Sequence, residues 1–483
     1  MKISPLSPTK PKPVALLIPG HRRLTIQTEW ETVTLEGTQK ITNALYKLSD
    51  FACYVGRGAE GMASTTPACD WVLSTWRGAP TSILHIPTGV KVMSLRSSLE
   101  DSSDPFRDLM VALNWLRGYG VRPASVSSMS FQLWRASLSR PVSIYADPEP
   151  ARRAFFGGRQ AIRKPAVYDN AEAWDIKAAY PTAMARAPFA LSLREVATST
   201  YIDPERAGLV EAKVRVPIDL WPPLPVRLGP EVIQYQWGDL EGVWTWREVA
   251  TAEALGCDVE VLRVWAPGRE ADLFTTWFSM MKSGRELPGE ASLIAKMVSN
   301  SLWGQFAMSG DGGGEVRWAT PDRDSDFAVE VPARKVPQLW TVHVAAEVTS
   351  RVRTQTLIEA IAPLRDHPLH IDTDGVILDA GSPRPINQGD DYGQWRRKES
   401  MDVIDIKAPQ VYRYRRAGER PWHYVAAGMP PDSAWRLWER GDLKINWSAF
   451  MAYPDVCIPS GDSDDAVLAG IYLADLERVR NVA

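Results

Sequence analysis

Two aspartates separated by a single residue lie in residues 370–375, which read HIDTDG. In an extended chain, residues two apart point to the same side, so the carboxylates of Asp372 and Asp374 face one way. Two unpaired carboxylates repel each other, and Mg²⁺ prefers carboxylate oxygens as ligands. The segment therefore predicts a site for a divalent cation, with a metal-free Asp-Gly hairpin turn as the alternative. A calcium loop is excluded, because its first and twelfth positions would be His370 and Gly381.

Two earlier segments carry side chains suited to phosphate chemistry. In residues 174–182, WDIKAAYPT, Asp175 stands at the start of a predicted turn. Taken alone, an aspartate at such a position more often serves as a turn residue or a helix cap. In the stretch KMVSNSLWG, a helix would place Lys296, Asn300 and Gly304 on one face. A cation, an amide and a glycine on one face could hold a triphosphate beneath a base. The alternative is a solvated helix that carries these residues by chance.

The elements that must position these residues follow from the periodicity of apolar residues. Residues 271–306 indicate two helices with breaks at residues 283–284 and 288–289, and residues 342–361 indicate one long helix. Residues 369–378 indicate a strand pair with acidic residues in its middle. We therefore expect an α+β protein of several domains.

The composition bounds the class of protein. The 483 residues, 45% hydrophobic and 23% charged, suit a globular chain of about three modules. No apolar run approaches the ~18 residues of a membrane span, and the N-terminus lacks an apolar signal segment, so we expect a cytoplasmic protein. Four cysteines lie far apart without a C-x-x-C pair, which argues against a zinc ribbon or a disulfide framework.

The charge pattern bears on nucleic-acid binding. The net charge of −3 shows no basic surplus, which counts mildly against a nucleic-acid partner. Residues 152–164, however, concentrate basic side chains around two glycines, and such a run can bind phosphates without sequence preference. A solvated turn is the alternative. The basic residues of this run are Arg152, Arg153, Arg159, Arg163 and Lys164.

The three chemical segments, in this order, resemble motifs A, B and C of family B DNA polymerases. The family patterns are D-x-x-S-L-Y-P, K-x-x-x-N-S-x-Y-G and Y-x-D-T-D-S, and the intervals between the segments resemble the bacteriophage protein-primed-like branch. Residues 155–158, FFGG, resemble the Y-x-G-G segment of that branch, and residues 407–412, KAPQVY, resemble its K-x-Y element. The departure with most consequence is Gln410, which stands where K-x-Y has its lysine.

The resemblance implies a right-hand polymerase within the α+β class, with an antiparallel palm sheet, helical fingers and a small thumb. The palm sheet would carry Asp175, Asp372 and Asp374. The implied domains are an α/β N-terminal domain over 1–140, a palm in two parts over 141–265 and 309–412, fingers over 266–308, and a thumb over 413–483.

The same resemblance implies template-directed DNA synthesis, in which deoxynucleotides join a primer 3′-hydroxyl and pyrophosphate leaves. Two Mg²⁺ ions, or Mn²⁺, would serve the transfer, with Asp175 and Asp374 as bridging ligands and Asp372 as a ligand or neighbouring group. The implied catalytic residues are Asp175, Asp372, Asp374 and Lys296. The implied nucleotide-binding residues are Lys282, Lys296, Asn300, Tyr180 and Gly304, and the implied DNA-binding residues are Phe155, Gly157, Gly158, Arg159, Lys407 and Tyr412.

The expected partners are a DNA template and primer, deoxynucleoside triphosphates and a priming or terminal protein, with no membrane. Proofreading members of the family that the chain resembles carry an exonuclease in the N-terminal part of the chain, which begins with an Asp-x-Glu triplet. Residues 1–140 contain no such triplet. The Asp-x-Glu triplet that precedes motif A, at residues 147–149, has proline at its centre. We therefore predict that 3′–5′ exonuclease proofreading is absent. Two alternatives stay open: a polymerase-shaped DNA-binding accessory protein without catalysis, and a metal-dependent nuclease that uses the same carboxylates.

Overall fold

The computed structural model describes two compact units of the chain. One unit comprises residues 1–144 and 273–340, and the other comprises residues 145–272 and 341–483. Most of the predicted thumb lies outside the described residues. The described residues are 105–121, 126–144, 148–227, 233–307, 341–364 and 368–426, together with the backbone of short strands between residues 2 and 95 and at 457–458.

The first unit contains a mixed sheet and a group of helices. Its elements are β1 (Lys2–Ile3), β2 (Val14–Gly20), β3 (Arg23–Thr28), β4 (Thr32–Glu36), β5 (Ala52–Val55), β6 (Trp71–Ser74), β7 (Thr81–His85), β8 (Val90–Leu95), α1 (Pro105–Gly118), α2 (Val126–Ser137), β9 (Val142–Ser143), α6 (Thr275–Arg285) and α7 (Ala291–Asn300). The sheet order is β4-β3-β2-β5-β6-β7-β8, with parallel pairs only at β2-β5 and β5-β6 among its described pairings.

Buried aromatic residues hold the helices of the first unit together. Trp134 of α2 is fully buried, and its indole Nε1 donates to the carbonyl oxygen of Leu273 at 2.8 Å. Its ring lies 5.8 Å from that of Phe274 and 5.3 Å from that of Phe306, measured between centroids. Aromatic rings at these separations attract one another beyond the gain from burial alone. The segment that precedes α6 and the turn that follows α7 are thereby joined to α2.

The two helices predicted over residues 271–306 are present as α6 and α7, and the predicted break at residues 288–289 is confirmed. The predicted break at Ser283-Gly284 is wrong, because both residues belong to the last turn of α6. Gly284 serves close packing there, since a Cβ atom on it would stand 2.5 Å from the ring of Trp115.

The second unit is built around a seven-stranded antiparallel sheet, the central sheet. Its strands are β10 (Gln160–Ile162), β11 (Ala166–Ile176), β18 (His370–Asp372), β19 (Gly375–Asp379), β20 (Trp395–Ala408), β21 (Val411–Arg416) and β22 (His423–Ala426). The order β10-β18-β19-β11-β20-β21-β22 places β11 between two strands that come much later in the chain. The strand pair predicted over residues 369–378 is confirmed as β18 and β19.

A second sheet and several helices complete this unit. Four strands form the order β12-β17-β13-β16, namely β12 (Phe189–Val196), β13 (Leu209–Val216), β16 (Gly238–Thr245) and β17 (Asp258–Ala271). A smaller sheet joins β14 (Pro225–Arg227), β15 (Ile233–Gln236) and β23 (Cys457–Ile458). The helices are α3 (Pro148–Ala154), α4 (Ala179–Ala185), α5 (Trp246–Ala254) and α8 (Val342–Thr356). Among the described residues, no helix combines the length and the apolar character that a membrane span requires.

Helix α8 is buried along its whole length. It confirms the helix predicted over residues 342–361, except that Leu357–Ile361 continues it as a single π-helical turn. Buried charged side chains need partners. Arg351 donates to Glu347 at 2.8 Å and to the carbonyl oxygens of Ala183 and Ala187 at 2.9 and 3.1 Å. These bonds join α8 to the end of α4, the helix that follows β11 in the chain.

A buried histidine at the start of α8 makes the stability of this unit depend on pH. His343 Nε2 lies 3.0 Å from the carbonyl oxygen of Ala190, and burial lowers the pKa of His343 from 6.5 to about 4. The unfolded chain therefore binds the proton first as the pH falls. Stability is full above pH 6.5 and should decrease as the pH falls from 6.5 towards 4. The expected loss between pH 7 and pH 5 is about 2 kcal/mol.

Urea unfolding at pH 7 and pH 5 measures this effect. In His343→Gln, the amide can still donate to the Ala190 carbonyl oxygen but does not titrate. The variant should lose about 2 kcal/mol less than the wild type over this interval. An equal loss in both proteins would contradict the role assigned to His343.

Candidate active site

Asp175 lies near the end of β11 and contacts both strands that flank it. It is paired with Gly375 of β19 on one side and with Arg396 of β20 on the other. Its carboxylate forms an ion pair with Lys398 Nζ at 2.9 Å, and the guanidinium of Arg396 lies at 3.9 Å. Arg396 and Lys398 are two residues apart on β20 and so lie on the same side as Asp175, and Lys398 is the extra residue of a β-bulge opposite Ala173 and Trp174.

Asp372 and Asp374 lie at the tight turn that joins β18 to β19. Asp372 is paired with Gly375, so Thr373 and Asp374 form the turn itself. The backbone amide of Ile176 donates to the carbonyl oxygen of Asp374 at 2.9 Å, which ties the turn to the end of β11. The three aspartates singled out in the sequence therefore lie together at one end of the central sheet.

The three carboxylates influence one another electrostatically. The pKa of Asp374 is raised to about 7, first by burial and then by the charges of Asp175 and Asp372, while Lys398 acts in the opposite direction. A cation would relieve this repulsion. The donor set consists of carboxylate oxygens, the ligands that Mg²⁺ prefers. The chemistry of the site therefore fits the predicted ion.

Two of these carboxylates are oriented by neighbouring protein side chains, and they do not point to one position at which both could bind an ion. Asp175 is turned to Lys398, and Asp372 is turned to Gln410. Within the described part of the chain, no three His, Cys, Asp or Glu side chains converge as ligands of one ion. To hold an ion together, Asp175 and Asp372 would have to exchange these partners for it.

Gln410 contacts the carboxylate pair directly. Its Nε2 donates to Asp372 Oδ1 at 2.7 Å, and its backbone amide donates to Nε2 of His370 at 2.9 Å. Burial lowers the pKa of His370 to about 4, so the ring is neutral at pH 7 and can accept this bond. Lys407 instead forms an ion pair with Asp405 at 2.9 Å. An uncharged amide, and not a lysine, therefore lies beside Asp372.

Two tyrosines singled out in the sequence lie near the same carboxylates. Burial, followed by the charge of Asp374, raises the pKa of Tyr180 in α4. Burial, followed by the charge of Asp372, raises the pKa of Tyr412, whose ring lies 5.2 Å from that of His370. Both phenols therefore stay protonated at neutral pH.

Residues 155–159, the segment predicted to bind DNA, pack against the turn between β18 and β19. Gly158 lies against Thr373, whose backbone amide donates to the carbonyl oxygen of Arg159 at 2.6 Å. The buried guanidinium of Arg353 donates to the two carbonyl oxygens that precede Gly158, at 2.6 and 2.7 Å. This segment is therefore part of the surroundings of the carboxylates.

Arg159 is buried, with only 1% of its surface exposed. Its guanidinium donates to the carbonyl oxygen of Pro222 at 3.0 Å and lies 4.1 Å from the centre of the Tyr235 ring. A DNA contact would require Arg159 to leave these partners, so the structure does not support the contact predicted for it. In the same basic run, Arg153 and Arg163 each pair with an acidic residue, at 2.6 and 2.8 Å.

The residues predicted to bind the nucleotide from a helix lie in the first unit. Lys296 and Asn300 are exposed on one face of α7, while the apolar residues of the opposite face are buried, as predicted. Lys282 lies on α6, with its Nζ 4.7 Å from the centre of the Phe278 ring. Gly304 lies in the 3₁₀ turn that follows α7. The three aspartates belong to the second unit.

The polymerase resemblance is tested by the match of the chain to protein families. Residues 121–327 match the family model of DNA polymerase type B, organellar and viral. This region is a type B DNA polymerase domain. The predicted family and the predicted enzyme class, a DNA-directed DNA polymerase, are confirmed.

The polymerase has the fold of Phi29 DNA polymerase. It is similar to the orthorhombic crystal form with a TM-score of 0.58 at 11% identity, over 88% of this chain and 94% of that chain. It is similar to the ternary complex with primer-template DNA and incoming nucleotide substrates with a TM-score of 0.59 at 11% identity, over 88% and 93% of the two chains. No curated protein sequence matches the chain. At this identity the likeness establishes a polymerase fold.

Two basic residues of the polymerase site were missed in the sequence. Lys398 and Arg396 lie within residues 396–400, RRKES, which look like an ordinary solvated run of charges. They lie close to Asp175 only because of the register in which β20, with its bulge, pairs with β11. No sequence signal of this register exists, because both residues are half-exposed and the chain between the two strands is long.

Proposed function

We propose that this polymerase adds deoxynucleotides to a primer 3′-hydroxyl by two-metal phosphoryl transfer, and that it lacks proofreading. The observation that carries the proposal is the meeting of Asp175, Asp372 and Asp374 at one end of the central sheet. Burial and the two neighbouring carboxylates raise the pKa of Asp374 to about 7. Strongly perturbed acidic groups that cluster in this way are typical of functional sites.

The ligands that we assign are Asp175 and Asp374 as bridging groups, with Asp372 as a third ligand or a neighbour. Two Mg²⁺ or Mn²⁺ ions bound there would stabilise the attacking and the leaving oxygen. Lys398 neutralises part of the charge of Asp175, and Gln410 orients Asp372. Asp175 and Asp372 would exchange these two partners for the ions when the ions bind.

The nucleotide-binding residues that we assign are Lys282, Lys296, Asn300, Gly304 and Tyr180. Lys282 and Lys296 would contact the β- and γ-phosphates, where fixed positive charge offsets the charge of the transferring group. Asn300 and Gly304 would line the nascent base pair. Tyr180 would lie beneath the sugar and exclude a 2′-hydroxyl, which favours deoxynucleotides.

The proposed architecture is a right hand, and it is supported by the antiparallel central sheet that carries Asp175, Asp372 and Asp374 and by the helix pair α6 and α7. Its palm is formed by strands from distant parts of the chain. The proposed domains are the N-terminal domain over 1–140, the palm over 141–265 and 309–412, the fingers over 266–308 and the thumb over 413–483.

The proposed ligands are primer-template DNA and deoxynucleoside triphosphates, with a priming or terminal protein as a further partner in the cytoplasm. Phi29 DNA polymerase, which shares the fold, is seen with primer-template DNA and incoming nucleotides, and with single-stranded DNA. The DNA-binding residues that we assign are Phe155, Gly157, Gly158, Lys407 and Tyr412. The proposed lack of proofreading rests on residues 1–140, where the sequence has no Asp-x-Glu triplet.

Primer extension tests this function. The purified protein, a 5′-labelled primer on a template, deoxynucleotides and Mg²⁺ should give products longer than the primer, and Asp372→Asn/Asp374→Asn should give none. Without nucleotides, the primer should keep its length even when its 3′ end is mismatched. Template binding without extension would favour the accessory protein, and shortening of the primer would favour a nuclease or a proofreading enzyme.

A further inference from the structure

We propose that Thr373 is a positioning residue for the aspartates on either side of it, and that Gly158 fixes its place. The proposal rests on the proposed function, because it takes Asp372 and Asp374 as metal ligands. In this role Thr373 does not touch the substrate. It acts through the backbone of the turn and through the hydrogen bond that its Oγ1 donates to Asp372 Oδ1 at 3.4 Å.

The backbone of Thr373 is held in an unfavourable conformation from outside the turn. Its φ of 62° is left-handed, which a β-branched residue rarely adopts. Such a conformation persists where its surroundings fix it. The amide of Thr373 donates to the carbonyl oxygen of Arg159 at 2.6 Å, and Thr356 Oγ1 donates to the carbonyl oxygen of Thr373 at 3.2 Å. Both backbone polar groups of Thr373 are thus bound by other segments.

Gly158 forms the surface against which the Thr373 side chain rests. A Cβ atom on Gly158 would stand 2.5 Å from both Cγ2 and Oγ1 of Thr373 and 2.8 Å from its Cβ. The first two atoms could turn away by rotation about χ1, but the Cβ atom of Thr373 is fixed to the backbone. A methyl group at residue 158 must therefore displace either the turn or its own segment.

The segment that contains Gly158 is the more firmly held of the two. Arg353 is buried and donates to the carbonyl oxygens of Phe156 and Gly157 at 2.6 and 2.7 Å. Glu248, also buried, accepts from the same guanidinium at 2.6 Å. Hydrogen bonds from a charged donor are among the strongest in proteins. The two-residue turn is therefore the part that has to move.

Displacement of Thr373 changes the directions of the carboxylates beside it. Asp372 and Asp374 are its chain neighbours, and the carbonyl oxygen of Asp374 is tied to the amide of Ile176 at 2.9 Å. A shift of the middle residue, with one end of the turn tied, rotates the two aspartates relative to β11. A side chain at Gly158 should therefore weaken the binding of a divalent ion.

Binding of Mn²⁺ to the full chain, without DNA or nucleotide, tests this inference independently of catalysis. The EPR signal of free Mn²⁺ gives the apparent Kd. Gly158→Ala should raise this Kd about 10-fold or more, the effect expected when a group that orients a metal ligand is disturbed. Its extension rate at saturating primer-template should fall by at least as much.

A second substitution distinguishes this contact from a general loss of structure. Thr373→Gly removes the side chain that would clash, and glycine suits the left-handed backbone. Gly158→Ala/Thr373→Gly should therefore return the Mn²⁺ Kd and the extension rate close to those of Thr373→Gly alone. Thermal unfolding followed by circular dichroism should show that all these variants are folded.

Gly381→Ala is the matched control, because a Cβ atom there meets no atom within 4 Å. It should keep the wild-type Kd. Wild-type Mn²⁺ binding by Gly158→Ala would overturn the inference, and so would a loss of binding that Thr373→Gly does not restore. A wild type that binds Mn²⁺ but extends no primer would overturn the proposed function alone, and a wild type that binds no Mn²⁺ would overturn both.

Discussion

Asp374→Asn should abolish primer extension, with a rate loss on the order of 10³-fold or more, while the protein remains folded. The substitution keeps the shape of the side chain and removes its charge. Asp374 is the carboxylate whose charge the site disfavours, and its carbonyl oxygen is bonded to the end of β11. A neutral amide in its place cannot stabilise the charge of the ions that we assign to the site.

Stability should respond to Asp374→Asn in the opposite direction. Burial and two neighbouring carboxylates disfavour the charge of Asp374, which is why its pKa is raised to about 7. Removal of this repulsion should leave the melting temperature unchanged or raised, as expected where a site sacrifices stability for activity. Thermal unfolding in the absence of divalent ions measures this effect.

Asp379→Asn is the matched control for Asp374→Asn. Asp379 lies on β19 and pairs with Arg163 at 2.8 Å, so the substitution removes one carboxylate from the same hairpin. We expect it to retain extension. Equal losses in the two variants would show that the hairpin tolerates no change of charge, and would remove the support for a specific role of Asp374.

Arg353→Met should lower the free energy of unfolding by about 3–5 kcal/mol, the range found when one partner of a buried ion pair is removed. Arg353 and Glu248 are both buried, and the guanidinium donates to Glu248 from Nε and from Nη2 at 3.0 and 2.6 Å. The same side chain satisfies the carbonyl oxygens of Phe156 and Gly157. Methionine leaves a buried carboxylate and two carbonyl groups without these donors.

Urea unfolding at pH 7 measures the effect, and a second variant identifies its cause. Arg353→Met/Glu248→Gln removes the stranded charge, and a glutamine can still serve the capping box that Glu248 forms with Thr245. The double variant should recover part of the loss. Arg215→Met breaks an exposed pair with Asp239 and should leave the unfolding midpoint nearly unchanged. A small loss for Arg353→Met would contradict the buried pair as a major source of stability.

Features of the site that depend on local spacing could be predicted from the sequence. Asp372 and Asp374 lie in one short turn, so their proximity follows from the strand geometry. The exposed face of α7 that carries Lys296 and Asn300 follows from helical periodicity. The two strands and the long helix before them also follow from apolar patterns, and the structure confirms each of them.

Features that depend on tertiary contacts could not be predicted. Arg159 looks like a DNA-binding residue in the sequence, whereas it is buried beside a carbonyl group and a ring face. The contact of Gln410 with Asp372 joins the turn between β20 and β21 to the end of β18, although these strands are not neighbours in the order of the central sheet. The break wrongly placed at Gly284 has a similar cause, because its packing against Trp115 is invisible in the local sequence.

The position of β11 in the central sheet has a consequence for how the chain folds. Both of its neighbours, β19 and β20, are synthesised only after the whole of residues 273–340, which belong to the other unit. An emerging chain therefore displays β11 with both edges unpaired until β19 has been synthesised, and with one edge unpaired until the ribosome has passed residue 408. Pairings this distant along the chain make folding slow. Recombinant production should accordingly benefit from slow translation, low temperature or holdase chaperones, which protect such open edges from aggregation.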